Sequence, residues 1–175
     1  MQKNIQLKNV RLAFPSLFKK AVFQGDVTKF EASFLLDKDT QSDQIKVLED
    51  AIAAFELETF GKGNIPKALK RTCLVDGDTK DYDGYANHMA FKAGSTRRPL
   101  VLDTDKTALV EDDEKMLEGG CYVDAIVSLW YSDHPKGGKQ ILGNLSGVRY
   151  RSAGESFGAS GASADDFDDV EDDDL

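Results

Sequence analysis

The last eleven residues, Asp165 to Leu175, carry eight carboxylates and no base, and they follow a Gly/Ala/Ser stretch. Such a block repels itself and has almost no apolar surface to bury, so it cannot join a core. The sequence therefore divides into a folding domain over residues 1–152, a flexible linker over 153–164 and a disordered acidic tail over 165–175. The tail reads as an interaction arm, or as an internal competitor for a basic groove.

Setting the tail aside changes the charge of what remains. All 22 Lys and Arg lie before residue 165, beside 23 of the 31 acids, which leaves a net of −1 where the whole chain has −9. The acidity is appended to a nearly neutral body, long enough for one domain with a real core. Cys73 and Cys121 have neither the number nor the spacing of a disulfide framework or zinc site, and each sits in an apolar run, so both are read as reduced core residues. No basic and apolar leader opens the chain and no apolar run approaches a membrane span, so the expected compartment is the cytoplasm.

Apolar residues alternate at Ile5 and Leu7, then shift register to Val10, Leu12 and Phe14, as in a strand bent by a bulge near Lys8 and Asn9. A turn at Gln24-Gly25-Asp26 leads to a second strand over Phe30 to Leu36. Ser42 precedes a helix whose apolar face is Ile45, Leu48, Ile52 and Phe55, with Gly61 as its C-cap. Further strands are expected from Tyr82 to Phe91, Leu100 to Leu102, Cys121 to Tyr131 and Lys139 to Arg151, the last two joined by the His134-Pro135-Lys136-Gly137-Gly138 turn. The expected fold is mainly β: a five-stranded Greek-key barrel of the oligonucleotide-binding (OB) type with insertions, plus one packed α-helix. Gly143 and Gly147 are read as bending points that closure requires.

Bases cluster where acids are absent. Lys62, Lys67, Lys70 and Arg71 share one acid-free window, Lys92, Arg97 and Arg98 another, and Lys136, Lys139, Arg149 and Arg151 surround the final hairpin. These three segments can converge on a groove that tracks phosphates. Aromatics interleave with them: Tyr82, Tyr85 and Phe91 before Arg97, and Tyr122, Trp130, Tyr131 and Tyr150 around the hairpin. A cationic groove with aromatic rings suits single strands, whose bases expose faces that a duplex hides. Trp130 shares the polar face of its strand and is a stacking candidate, whereas Phe30, Phe34 and Phe55 lie on apolar stripes and are read as core.

No catalytic pattern emerges. His88 and His134 have no nucleophile partner, no Ser or Cys context matches an elbow or dyad, and Gly137-Gly138-Lys139 lacks the rest of a phosphate loop. Asp76, Asp78, Asp81 and Asp83 offer carboxylates to a divalent ion, but Lys80 interrupts the would-be calcium loop, and an Asp/Gly-rich turn explains the segment. Neither a metal nor a cofactor is expected.

The opening Asn9-Val10-Arg11-Leu12-Ala13-Phe14-Pro15, then Phe30 to Leu36, Asp76-Gly77-Asp78 leading to Tyr82-Asp83-Gly84-Tyr85, Arg98-Pro99, Gly119 to Val123, Leu129-Trp130-Tyr131 and Leu145 to Val148 together resemble a family of bacteriophage single-stranded-DNA-binding proteins. The resemblance covers nearly the whole chain. It implies an OB-fold that coats and protects single strands in phage replication or recombination, in the cytoplasm of an infected bacterium, with no catalysis of its own. It also implies a tail that competes with DNA for the groove and, once displaced, recruits phage or host replication proteins. The matching residues here are Asp165, Asp166, Phe167, Asp168, Asp169, Glu171, Asp172, Asp173, Asp174 and Leu175, with Phe167 and Leu175 as apolar anchors.

Two other functions fit parts of the pattern. A DNA-mimic or protein-interaction module would act through the acidic arm alone, although it should carry acids dispersed over its body rather than acid-free windows. A divalent-metal nuclease would be built on Asp76 to Asp83. The expected partners are single-stranded DNA and replication proteins, with no membrane, and the chain is either a monomer or a homodimer.

Overall fold

The computed structural model describes residues 3–157 and residue 170. Nine strands and one α-helix occur among the described residues: β1 (Ile5–Ser16), β2 (Val22–Phe23), β3 (Asp26–Val27), β4 (Phe30–Asp37), α1 (Ser42–Phe60), β5 (Leu74–Asp76), β6 (His88–Ser95), β7 (Leu100–Leu102), β8 (Tyr122–His134) and β9 (Gly138–Ser152). The barrel runs β6-β4-β1-β8-β9, antiparallel at each step, and closes where β6 meets β9 in parallel, Ala93 opposite Gly143 and Gly94 opposite Asn144. This is the five-stranded OB arrangement expected from the sequence.

Closure depends on bending β1, which pairs with β4 along one edge and β8 along the other. Its register against β8 shifts between Leu7 and Val10, where Asn9 takes φ 53°, at the place the residue pattern marks for a bulge. A second shift, against β4, falls between Ala13 and Ser16, with Phe14 at φ 48°. Extra residues of this kind increase local twist and turn a strand around a corner. At the β6–β9 seam, a Cβ on Gly143 would lie 2.5 Å from the Lys92 carbonyl oxygen, so the absent side chain lets the two backbones meet.

Alternate residues of the barrel strands fill a core that includes Leu7, Val10, Leu12, Phe34, Leu36, Phe91, Val123, Val127, Ile141 and Leu145. Helix α1 adds Ile45, Leu48 and Ile52 from the expected face and ends at Gly61 (φ 87°), whose N–H donates to the Leu57 carbonyl. Its N-cap is Gln41 rather than a serine, and the Gln41 side chain instead joins the Asp37 N–H to the Asn9 carbonyl.

Three expectations change. Residues Tyr82 to Asn87 form a turn-rich loop, not strand, because Gly84 (φ 82°) and Asn87 (φ 58°) break the extended backbone. The Phe14 side chain leaves the core row, since the second shift in β1 falls at this residue; Ala13 before it is buried against Leu35, Tyr85 and Ala90, in a cluster separate from the barrel core. The body also runs past residue 152: the Phe157 N–H donates to the Gly119 carbonyl at 3.1 Å, and Arg11 donates to the Glu155 carbonyl at 2.6 Å. The remaining linker positions and the tail residues named above lie outside the described residues.

Candidate nucleic-acid interface

The bulge that ejects Phe14 creates an aromatic ledge on the outer surface of the barrel. Phe14 is 60% exposed and Tyr82, from the loop before β6, is 52% exposed. Their rings meet edge to face, centroids 5.1 Å apart at 77°. Tyr85 lies buried beneath both, 5.1 Å from Tyr82 and 6.1 Å from Phe14. Burial pushes the Tyr85 phenol above its ordinary pKa, a hydrogen bond with Ser33 on β4 opposes that, and the ring stays neutral as a support for the other two.

The ledge borders an open cleft of about 420 Å³ across β4 and β6, lined by Ser33, Thr72, Lys80, Tyr82, Ala90 and Lys92 among others. Residues 70–73 lie between β6 and β9. The Lys70 N–H donates to the Lys139 carbonyl and the Ile141 N–H to the Lys70 carbonyl, both at 2.9 Å, while the Lys92 N–H donates to the Cys73 carbonyl at 2.8 Å. The Thr72 hydroxyl meets the Gln140 side chain at 3.0 Å. Lys70, Lys92 and Lys139, one from each expected basic segment, thus fall on neighbouring backbone tracks beside the cleft. Lys92 also forms an exposed ion pair with Glu31 at 3.2 Å, of the kind a phosphate can displace.

Several expected site residues have other roles. Phe91 is fully buried and cannot stack on a base. Arg71 forks onto Glu56, a carboxylate buried on α1, which holds its guanidinium charged and turns it toward the helix. Arg151 pairs with buried Asp124 at 3.3 Å, alongside Arg149. Arg98 lies over the Phe18 ring at 5.2 Å and donates to the Leu109 carbonyl, with exposed Arg97 beside it in the β6–β7 turn. Tyr131 meets Phe60 edge to face at 4.9 Å, and Tyr150 packs against the core.

Trp130 is 38% exposed but stands on β8, separated from β4 by β1 and from β6 by β9, so it does not join the ledge. Tyr122 lines a polar hollow with Arg11 and His88. Lys67, after α1, and Lys136, at the hairpin tip, are exposed.

Phe14, Lys80 and Thr72 are the cleft residues that strand periodicity did not select. Phe14 stood in an apparently regular apolar row, and the only local sign against it is Pro15, which disfavours helical backbone before it but does not reveal a bulge. Of the carboxylates offered to a metal, Asp76 and Asp78 share the Lys38 ammonium, at 2.6 and 2.7 Å. Among the described residues, no group of three or more His, Cys, Asp or Glu is arranged to hold a metal ion. No helix of the described residues is long and apolar enough to cross a membrane.

The sequence profile of the Enterobacter phage Enc34 ssDNA-binding protein family matches residues 3–175. Protein p50 of Acyrthosiphon pisum secondary endosymbiont phage 1 is 37% identical over 95% of this chain and 93% of that one. The single-stranded DNA-binding protein of bacteriophage Enc34, solved in complex with ssDNA, superposes with a TM-score of 0.77 at 27% identity, covering 89% of each chain. The single-stranded DNA-binding protein gp2.5 of bacteriophage T7 has a TM-score of 0.58 at 14% identity, over 98% of this chain and 97% of that one, a likeness of fold.

Proposed function

The chain belongs to the family of the Enterobacter phage Enc34 ssDNA-binding protein, and on that footing we propose that it binds single-stranded DNA without regard to sequence along the outer face of β4 and β6. The observation that carries this is the ledge of Phe14 and Tyr82 set against Lys70, Lys80, Lys92 and Lys139. The rings stack on bases and the ammonium groups follow the phosphates. The β2–β3 and β8–β9 hairpins are the loops that flank this face in OB-folds, and they carry exposed Phe23 and Lys136. The protein coats and protects strands during phage replication or recombination, in the cytoplasm of the infected host, and performs no catalytic step.

The acidic tail acts as a tethered polyanion. Eight carboxylates at high local concentration occupy the cationic groove until a longer polyanion displaces them, and the freed tail then contacts replication proteins. Titrating a fluorescent oligo-dT of about 30 nucleotides and a matched duplex at two salt concentrations tests the binding itself. Strand-selective binding that weakens steeply with salt supports it. Equal affinity for strand and duplex refutes it.

A further inference from the structure

A second cleft, of about 450 Å³, adjoins the ledge and is lined by Phe14, Pro15, Asp81, Tyr82, Asp83 and Phe157. Its far wall comes from the last described residues of the body. The Phe157 ring lies under the Arg11 guanidinium at 4.2 Å and fills space that a side chain on Gly84 would need. With its N–H on the Gly119 carbonyl and Glu155 held by Arg11, the ring is fixed rather than loosely draped. The cleft thus carries Phe157 in its lining together with the two rings of the ledge, and it is open at the surface beside them.

Its polar lining has the opposite sign to the rest of the groove. Asp81 and Asp83 are exposed, and neither is ion-paired among the described residues. Carboxylates at this position exclude phosphates, so the polymer must enter base first. They also accept hydrogen bonds only, which favours bases with donors on their exposed edge. Guanine offers two adjacent donors, N1–H and the 2-amino group. Thymine offers a single N–H between two carbonyl oxygens that the carboxylates repel.

We propose that this slot takes a guanine base, stacked between the Phe14–Tyr82 ledge and Phe157 and read by Asp81 and Asp83. This rests on the single-strand reading above and adds a local base preference to an otherwise sequence-tolerant track. The probe is a dT oligonucleotide, compared with the same oligonucleotide carrying isolated dG at regular intervals, and with dI, which lacks the 2-amino group, in place of dG. The full-length protein should bind the dG strand roughly fivefold to tenfold tighter than dT, within the range of a bidentate base contact, with dI falling toward dT.

The Asp81→Asn, Asp83→Asn double variant should bind dT at least as tightly as before and lose the dG preference. Phe157→Ala, which removes one wall, should lose the preference while still binding dT. Equal affinity of the unaltered protein for dG and dT strands overturns the proposal, and so does a preference that survives the double variant. Failure to bind any of the three strands would refute the single-strand reading itself.

Discussion

Phe14 on β1 and Phe91 on β6 stand on the two strands that flank β4, and they meet different fates. Phe14, at positive φ, stands in solvent against Tyr82, while Phe91 is sealed in the core. Phe14→Ala or Tyr82→Ala should therefore weaken oligo-dT binding about tenfold, within the range for one stacked base, and leave the urea midpoint close to that of the unaltered protein. Phe91→Ala should instead cost about 3–5 kcal/mol of stability in urea unfolding, because it opens a cavity. Affinity lost without stability in the Phe91 variant would reverse these assignments. The residue pattern puts Phe14 in an apolar row and offers Phe91 for stacking, and the structure exposes the first and buries the second; for Phe14 the cause is a bulge, which inverts the face of later positions and leaves little trace in composition. The ion pair of Arg71 is hidden for a similar reason: its acid-free window is a property of the sequence, whereas its partner Glu56, in direct contact in the fold, is 15 positions away in the chain.

Among the elements, β1, β4, α1, β8 and β9 are legible because their periodicity is long and their punctuation strong, and the short β7 because a Leu-Val-Leu run stands between a proline and an aspartate. The Tyr82 to Asn87 loop was not, because three aromatic or apolar residues in an Asp/Gly-rich segment imitate a strand. That loop is positioned by a charge clasp. The Lys38 ammonium hydrogen-bonds Asp76, which holds that carboxyl below its ordinary pKa, and Asp78 is lowered by the Asn87 N–H and then by Lys38. A carboxylate lowered in the folded state contributes stability in full above its unfolded pKa of about 3.9 and loses it as pH falls through the lower folded value. The melting-temperature gap between the native protein and Lys38→Met should accordingly be steady from about pH 7 to pH 5 and close below about pH 4. A gap unchanged into strong acid would show that the clasp is not electrostatic. At the β6–β9 seam, Gly143→Ala should destabilise by about 1–3 kcal/mol, the range for overpacking, because the new methyl meets the Lys92 carbonyl and the Phe91 ring. An unchanged urea midpoint would mean the seam has slack.

Across the whole molecule, sequence alone supplied the division between a nearly neutral body and an acidic arm, and the OB topology followed from the strand count, the bent first strand and the helix after the second strand. The composition of the proposed groove is half legible: the residue pattern marks Lys70, Lys92, Lys139, Tyr82 and Tyr85, but which bases face one surface depends on closure of the barrel, a long-range fact that local spacing does not encode. Removing residues 165–175 should tighten oligo-dT binding, most at low salt where the tail competes best. Unchanged affinity across salt would rule out competition and leave recruitment as the role of the arm. The most direct measurement is fluorescence anisotropy of a labelled oligo-dT, with duplex as control, on the native protein and on the Phe14→Ala, Tyr82→Ala double variant. The ledge requires tight, strand-selective binding by the native protein and a loss of roughly 30-fold or more in the double variant with its melting temperature kept. Full affinity in the double variant would place the strand on another face of the barrel.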